Sequence, residues 1–323
     1  MVFGGKSVSF EPEREIPPLT DKVILVTGAN AGLGKQAVLE FARHRPRLIW
    51  LAARSVQKAN AAADEIRKQV PNAPIRVLEL DLASFASVKQ AAATVLTNSN
   101  RLDILMLNAG IMAVPPGTTA DGYEIQFGTN HMGHALLTKL LLPLLTQTAA
   151  GADADVRVVS LSSDGHKFAS KPGIDFASLK TPADDLGAMG RYFQSKLANV
   201  LWTRQLAHEQ PTLTVAAVHP GSVRGTQLLD NATGAPAAMR LLVRAAVSAK
   251  LFMSVERGVR NQLWASVAQG VKSGEYYEPV GVAGRASAFG TDDDLALRLW
   301  EWTEKELEGQ VVAWNWYNMN AEA

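Results

Sequence analysis

The stretch Thr27-Gly28-Ala29-Asn30-Ala31-Gly32-Leu33-Gly34 follows directly on the apolar run Val23-Ile24-Leu25-Val26. A short β-branched run of this kind reads as a buried strand. Glycines at its end let the backbone turn sharply and approach a pyrophosphate. The helix that then begins offers free amides and the positive end of its dipole. The bland alternative is an ordinary glycine-rich turn between a strand and a helix. Placement at the first strand and first helix favours the phosphate reading and makes Gly28, Asn30, Ala31, Gly32, Leu33 and Gly34 candidate cofactor-binding residues.

Outward from this turn, short apolar runs at 23–27, 48–53, 75–80, 103–107, 156–161 and 213–218 read as buried strands. Segments with helical spacing at 34–45, 56–70, 84–97, 127–148 and 192–209 lie between them. A further short strand near 275–277 closes the sheet edge, and 292–308 reads as a last helix. Strands alternating with helices imply an α/β, Rossmann-type doubly wound fold: a mainly parallel sheet of about seven strands with helices on both faces. The alternation runs without a linker. The expected organisation is therefore an extension at 1–20, one domain at 21–310 with a substrate lid near 222–255, and a tail at 311–323. Long glycine- and proline-bearing loops at 164–191 and after 220 lie beyond strand ends, where such sheets bind ligands.

Bulk properties narrow the classes of function. Net charge is +1 with no basic stripe, so no nucleic-acid partner is expected. The absence of cysteine excludes disulfides, thiolate metal sites and a cysteine nucleophile. His131, His134, His166 and His219 lack ligand spacing, and no metal is expected. No run is apolar enough to span a bilayer; the nearest, 239–253, is interrupted by Arg240, Arg244 and Lys250. With no signal peptide read at the N-terminus, the expected location is cytoplasmic.

Tyr192 and Lys196 stand four apart, on one face of one helix. A free tyrosine titrates near ~10, too high for easy proton exchange at neutral pH, and a nearby ammonium favours its phenolate. That pairing suits a proton transfer at the oxygen of a carbonyl or alcohol. By itself the spacing is common in ordinary helices.

Taken together, Thr-Gly-x-x-x-Gly-x-Gly at 27–34, Asn108-Ala109-Gly110 after the fourth strand, Tyr192-Phe193-Gln194-Ser195-Lys196 and Pro220-Gly221 after the sixth resemble the short-chain dehydrogenase/reductase superfamily. The similarity lies with its single-domain branch and covers about residues 22–290. The loop Ser163-Asp164-Gly165-His166 and the N-terminal extension resemble the retinol-dehydrogenase and WW-domain-oxidoreductase side, its fungal members in particular. The resemblance implies that Ser163 holds the substrate oxygen, with Ser162 in support. It also implies that Asn130 helps hold a relay water near Lys196. Asn108, Ala109, Gly110, Tyr192, Lys196, Pro220, Gly221 and Val223 join the expected cofactor contacts. Asp81-Leu82 matches the family's adenine-contacting pair, although Asp81 equally suits a cap for the helix at Ser84. Thr226 stands one place later than the family's nicotinamide-contacting threonine.

The second strand ends at Ala53 rather than at a carboxylate, and Arg54 follows. A carboxylate there would hold the ribose hydroxyls of NAD; an arginine meets a 2′-phosphate, so NADP(H) is the expected cofactor. Lys35 either adds to that positive field or is a solvated surface charge. In the lid, Leu228, Leu229, Met239, Leu241, Leu242 and Phe252 suggest a hydrophobic carbonyl or alcohol substrate, with Ser163, Tyr192 and Leu228 as its contacts. The same side chains could instead pack a helix on the core or touch a membrane surface. The expected function is an NADP(H)-dependent ketoreductase or alcohol dehydrogenase, a monomer or homodimer. Competing readings are a non-redox nucleotide-binding regulator and an isomerase or dehydratase on the same scaffold.

Overall fold

A computed structural model describes residues 7–152, 154–224, 228, 232–234 and 252–321, with side chains to 311. Seven strands form one parallel sheet: β1 (Val23–Thr27), β2 (Leu48–Ala53), β3 (Ile75–Glu79), β4 (Ile104–Leu107), β5 (Arg157–Leu161), β6 (Thr214–Val218) and β7 (Tyr276–Tyr277). Their order is β3-β2-β1-β4-β5-β6-β7. Val26 of β1 pairs with Leu51 on one side and Met106 on the other, so the order reverses between β1 and β4. Open parallel sheets bind ligands in the crevice such a reversal opens at the strands' carboxyl ends.

Alternation along each strand makes two cores. Leu25 and Trp50 face one side with Leu105, beneath α3 (Phe85–Asn98), α4 (residues 125–149) and α5 (Gly187–Glu209). Ile24, Ile49 and Met106 face the other, beneath α1 (Gly32–Arg43), α2 (Val56–Gln69) and α6 (Arg260–Val267). Both faces of a parallel sheet are buried, hence the continuous apolar strand sequences. Phe10, Ile16 and Leu19 of the N-terminal segment are buried in this second core, and Val8 N–H donates to Val280 O.

Helix α4 runs through Ile125–Phe127, a π-helical turn at Gly128–Met132 and Gly133–Ala149. Helix α5 spans Gly187–Glu209, and α7 spans Asp293–Ala321. Both differ from expectation: α5 starts five residues before Tyr192, and α7 runs past 308. Glycines at 187 and 190 disguise the start of α5, which tertiary bonds hold. Gln126 Nε2 donates to Ala188 O at 2.8 Å, and the buried Arg191 lies 3.2 Å from Glu124. Of the lid residues, Leu228 and Phe252 are described; Leu229, Met239, Leu241 and Leu242, like Thr226, lie outside the described residues. No helix among the described residues is long and apolar enough to cross a membrane.

Candidate active site

The crevice at the reversal opens into a cavity of about 570 Å³. Gly28 lies at φ +64°, and a Cβ there would stand 2.8 Å from Ala109 Cα. A Cβ on Gly34 would stand 2.5 Å from Gly28 O, so neither position admits a side chain without moving backbone. The packing is fastened by side chains: Asn108 Nδ2 donates to Thr27 O at 2.8 Å, and Ala109 N–H to Thr27 Oγ1 at 2.9 Å. Ala31 precedes α1 and offers no side-chain cap, so the first amides of that helix face the crevice uncapped.

Of the expected cofactor contacts, Gly28, Asn30 through Gly34, Arg54, Asp81, Leu82, Asn108 through Gly110, Pro220, Gly221 and Val223 line this one cavity. Arg54 is exposed and makes no ion pair among the described residues. Lys35 is paired with Glu65 of α2. Asp81 lines the cavity but does not cap α3: its carboxylate accepts from Ala83 N–H at 3.0 Å, in the turn before the helix, and Ser84 is the cap.

Ser163, Tyr192 and Lys196 line the same cavity. Ser163 stands two residues past the end of β5, and its Oγ accepts from Gly165 N–H at 3.0 Å in the tight turn that follows. His166 fixes that turn by donating through Nδ1 to Ser163 O at 2.6 Å and accepting from Ser287 N–H at 3.0 Å. Tyr192 and Lys196 share one face of α5, with the ammonium 5.8 Å from the phenol ring centre. Lys196 Nζ donates to Leu161 O at 2.9 Å, and Ser162 Oγ donates to Lys196 O at 2.7 Å. Asn130 does not line the cavity. Its amide is engaged by the Ile111 backbone, accepting at 2.8 Å and donating at 2.9 Å, and it donates to Ser195 Oγ at 2.9 Å.

Burial dominates the electrostatics here. It raises the Tyr192 phenol to about 12; hydrogen bonding with Ser163 pulls the other way, and the Asp164 charge adds to the rise. Burial likewise lowers the Lys196 ammonium to about 8. The expected depression of the tyrosine by Lys196 is not found; desolvation holds the phenol above its ordinary value. At neutral pH the phenol carries its proton, as a proton donor requires.

The family model for short chain dehydrogenase matches residues 22–236. The chain belongs to the short-chain dehydrogenase family. Short-chain dehydrogenase/reductase drtF of Aspergillus calidoustus is 38% identical, over 90% of this chain and 95% of that one. Human retinol dehydrogenase 13 is 38% identical over 86% of this chain and 82% of its own. A short chain dehydrogenase from Shigella flexneri, solved in complex with NADP, shares the fold at a TM-score of 0.60 and 22% identity, covering 81% of this chain and 98% of that one. As a member of this family the chain is an oxidoreductase.

The dehydrogenase's cavity also holds residues that the sequence motifs do not mark: Met112, Asp164, Phe168, Met189, Phe193 and His219. Some left a signal. Phe193 adjoins Tyr192, Met189 precedes it by one helical turn, and His219 adjoins Pro220-Gly221. Asp164 and Phe168 are brought in by the turn after Ser163, whose shape is tertiary.

Proposed function

We propose that this dehydrogenase is an NADP(H)-dependent ketoreductase or alcohol dehydrogenase acting on a hydrophobic carbonyl or alcohol, with Tyr192 as its acid and base. The observation that carries the reading is the meeting of Tyr192, Ser163 and Lys196 with the glycine turn in one cavity. The bound nicotinamide would supply or accept the hydride. Gly28 through Gly34 fit its pyrophosphate, because two positions without room for a Cβ and an uncapped helix start bring backbone amides close to an anion. Pro220, Gly221 and Val223 would lie along the nicotinamide half. Arg54 would take the 2′-phosphate, since it lies in the cavity wall without an ion pair among the described residues, and Ala53 presents no carboxylate.

Ser163 donates a hydrogen bond to the carbonyl oxygen and holds it against Tyr192. Tyr192 gives its proton to that oxygen as negative charge develops there. Lys196, still largely charged at neutral pH, stabilises the phenolate left behind. In the reverse direction the phenolate takes the proton of an alcohol. Met112, Met189, Phe193, Leu228 and Phe252 would receive the apolar part of the substrate. Asn130 would act by holding the loop at Ile111 in register beside Lys196. We take the enzyme to be cytosolic, acting on a small molecule as a monomer or homodimer.

The test is a panel of carbonyls and alcohols followed through NADPH absorbance. Consumption of NADPH with hydrophobic ketones or aldehydes is expected. A panel that yields no turnover with either nicotinamide cofactor would refute the assignment.

A further inference from the structure

The turn after Ser163 ends on an aromatic side chain left uncovered. Phe168 is 66% exposed. Among the described residues the other large apolar side chains in this condition are Val8, Val56 and Leu297, none above 43% and none lining the cavity. A single exposed apolar side chain is ordinary. Phe168 differs in its place, because it stands in the cavity wall on a backbone that His166 pins at both ring nitrogens.

A row of rings leads inward from it. The ring centres of Phe168 and Phe193 are 5.5 Å apart with their planes at 43°, and those of Phe193 and Tyr192 are 6.2 Å apart at 56°. Exposure falls along the row to 5% at Tyr192. Gly165 makes room for the middle ring: a Cβ there would stand 3.1 Å from Phe193 Cδ1, so the bare glycine lets that ring lie against the turn. Packing of the turn on α5 accounts for Phe193. It does not account for Phe168, most of whose surface is left out of the gain that burial brings. A ligand ring laid on Phe168 recovers that surface and adds the preference of rings for offset and edge contacts. Met112 and Met189 line the same cavity, and thioethers adapt readily to ring edges.

Charge narrows the ligand further. Ser163 Oγ donates to Asp164 Oδ1 at 3.2 Å, and the same oxygen lies 3.6 Å from His219 Nε2. The Asp164 side chain is 48% exposed in the cavity wall, within the turn that carries Phe168. An anionic substrate would meet this carboxylate, whereas an uncharged one does not.

We propose that Phe168 and Phe193 form a stacking site for the flat, fused aromatic rings of an uncharged ketone whose carbonyl reaches Tyr192. The site deepens the reductase reading given above and rests on it for the ketone, but not for the rings. The substrate enters past Phe168, lays its outer ring there and its inner ring on Phe193. Its carbonyl then lies at the buried end of the row. A saturated skeleton of the same size fills the cavity without the ring contacts.

The experiment compares wild type, Phe168→Leu and Phe168→Trp, each loaded with NADP+. Each is titrated with 1-aminoanthracene, a fluorescent three-ring probe that carries no carbonyl. Phe168→Leu keeps an apolar side chain and removes the ring, so probe affinity should fall about two- to tenfold, and Phe168→Trp should retain it. In NADPH oxidation, wild type should prefer 2-acetylphenanthrene over its fully hydrogenated counterpart. The ratio of the two kcat/KM values should drop by the same factor in Phe168→Leu. Unchanged probe affinity in Phe168→Leu would overturn the site, and so would a wild-type preference for the saturated ketone. Loss of binding to phosphatidylcholine vesicles in Phe168→Leu, with probe affinity unchanged, would overturn it in favour of a lipid surface. Binding of the probe that depends on Phe168, without turnover of any carbonyl, would refute the reductase reading alone and leave the ring site standing.

Discussion

Burial holds the Tyr192 phenol at about 12 while the same burial brings Lys196 down to about 8. The two groups therefore share a proton-rich state at neutral pH, as the proposed roles of donor and stabilising charge require. Arg54 is the second residue on which the reading turns. A charge-assisted bond to a 2′-phosphate contributes about 1.5–3 kcal/mol. Arg54→Asp removes it and sets a like charge in its place, so the preference for NADPH over NADH should fall by about 10- to 100-fold or more. Paired kcat/KM values for the two cofactors measure this, and an unchanged ratio would refute the assignment of the phosphate to Arg54. The motif residues at both positions were legible in the sequence because their spacing reflects local geometry. The Asp164–His219 pair was not: the two are fifty-five places apart and meet only because β5 and β6 are neighbours.

Helix α5 carries both Tyr192 and Lys196, and the position of its first turn governs how firmly the phenol is held. Sequence reasoning starts the helix at Tyr192, because Gly187 and Gly190 have poor helix propensity. The structure places Tyr192 in the second turn, after residues held by Gln126 and by the buried Glu124–Arg191 pair. Arg191 Nη2 also donates to Val114 O at 2.8 Å, so one guanidinium joins three segments. Burial raises the Glu124 carboxyl, and Arg191 is among the groups that hold it down. Arg191→Ala leaves that carboxyl buried and unpaired, a change that costs about 3–5 kcal/mol. Thermal unfolding should show a marked loss of Tm, with kcat falling more than NADPH affinity. A variant with wild-type Tm would mean that the pair contributes nothing to holding α5. The π-helical turn of α4 was equally hidden, since Gly128–Met132 has the spacing of ordinary helix.

Across the whole molecule, the two cores follow from strand alternation, and this much of the fold is legible in the sequence. What could not be read was which helices reach over which face. The buried Phe10, Ile16 and Leu19 sit in a segment whose prolines and charges suggest a loop. His131 and His134 lie in the first core's covering helix, and burial lowers them to about 3 and about 4. His131 bonds to Thr303 Oγ1 of α7 at 3.0 Å, and His134 bridges Thr27 Oγ1 and Asn130 O at 2.9 and 3.0 Å. Both are neutral when folded and take up protons when unfolded below the ordinary value of 6.5. Their contribution to stability is therefore complete above pH 6.5 and is lost as pH falls toward those lower values. Each should add a slope of about 1.4 kcal/mol per pH unit. Urea unfolding between about pH 6.5 and 5, above the ordinary carboxylate range, reads this slope. His131→Asn should lower it by one proton's worth; an unchanged slope would show that this imidazole is not kept neutral by burial.

In the proposed reaction Tyr192 moves the proton while the cradle around it holds the cofactor, and Tyr192→Phe separates the two. Removing one hydroxyl leaves the ring, the glycine turn and Arg54 in place. Turnover of the best carbonyl should fall by about 100-fold or more while NADPH binding, read by fluorescence titration, stays within about twofold. Full turnover in Tyr192→Phe would refute the role proposed for this hydroxyl.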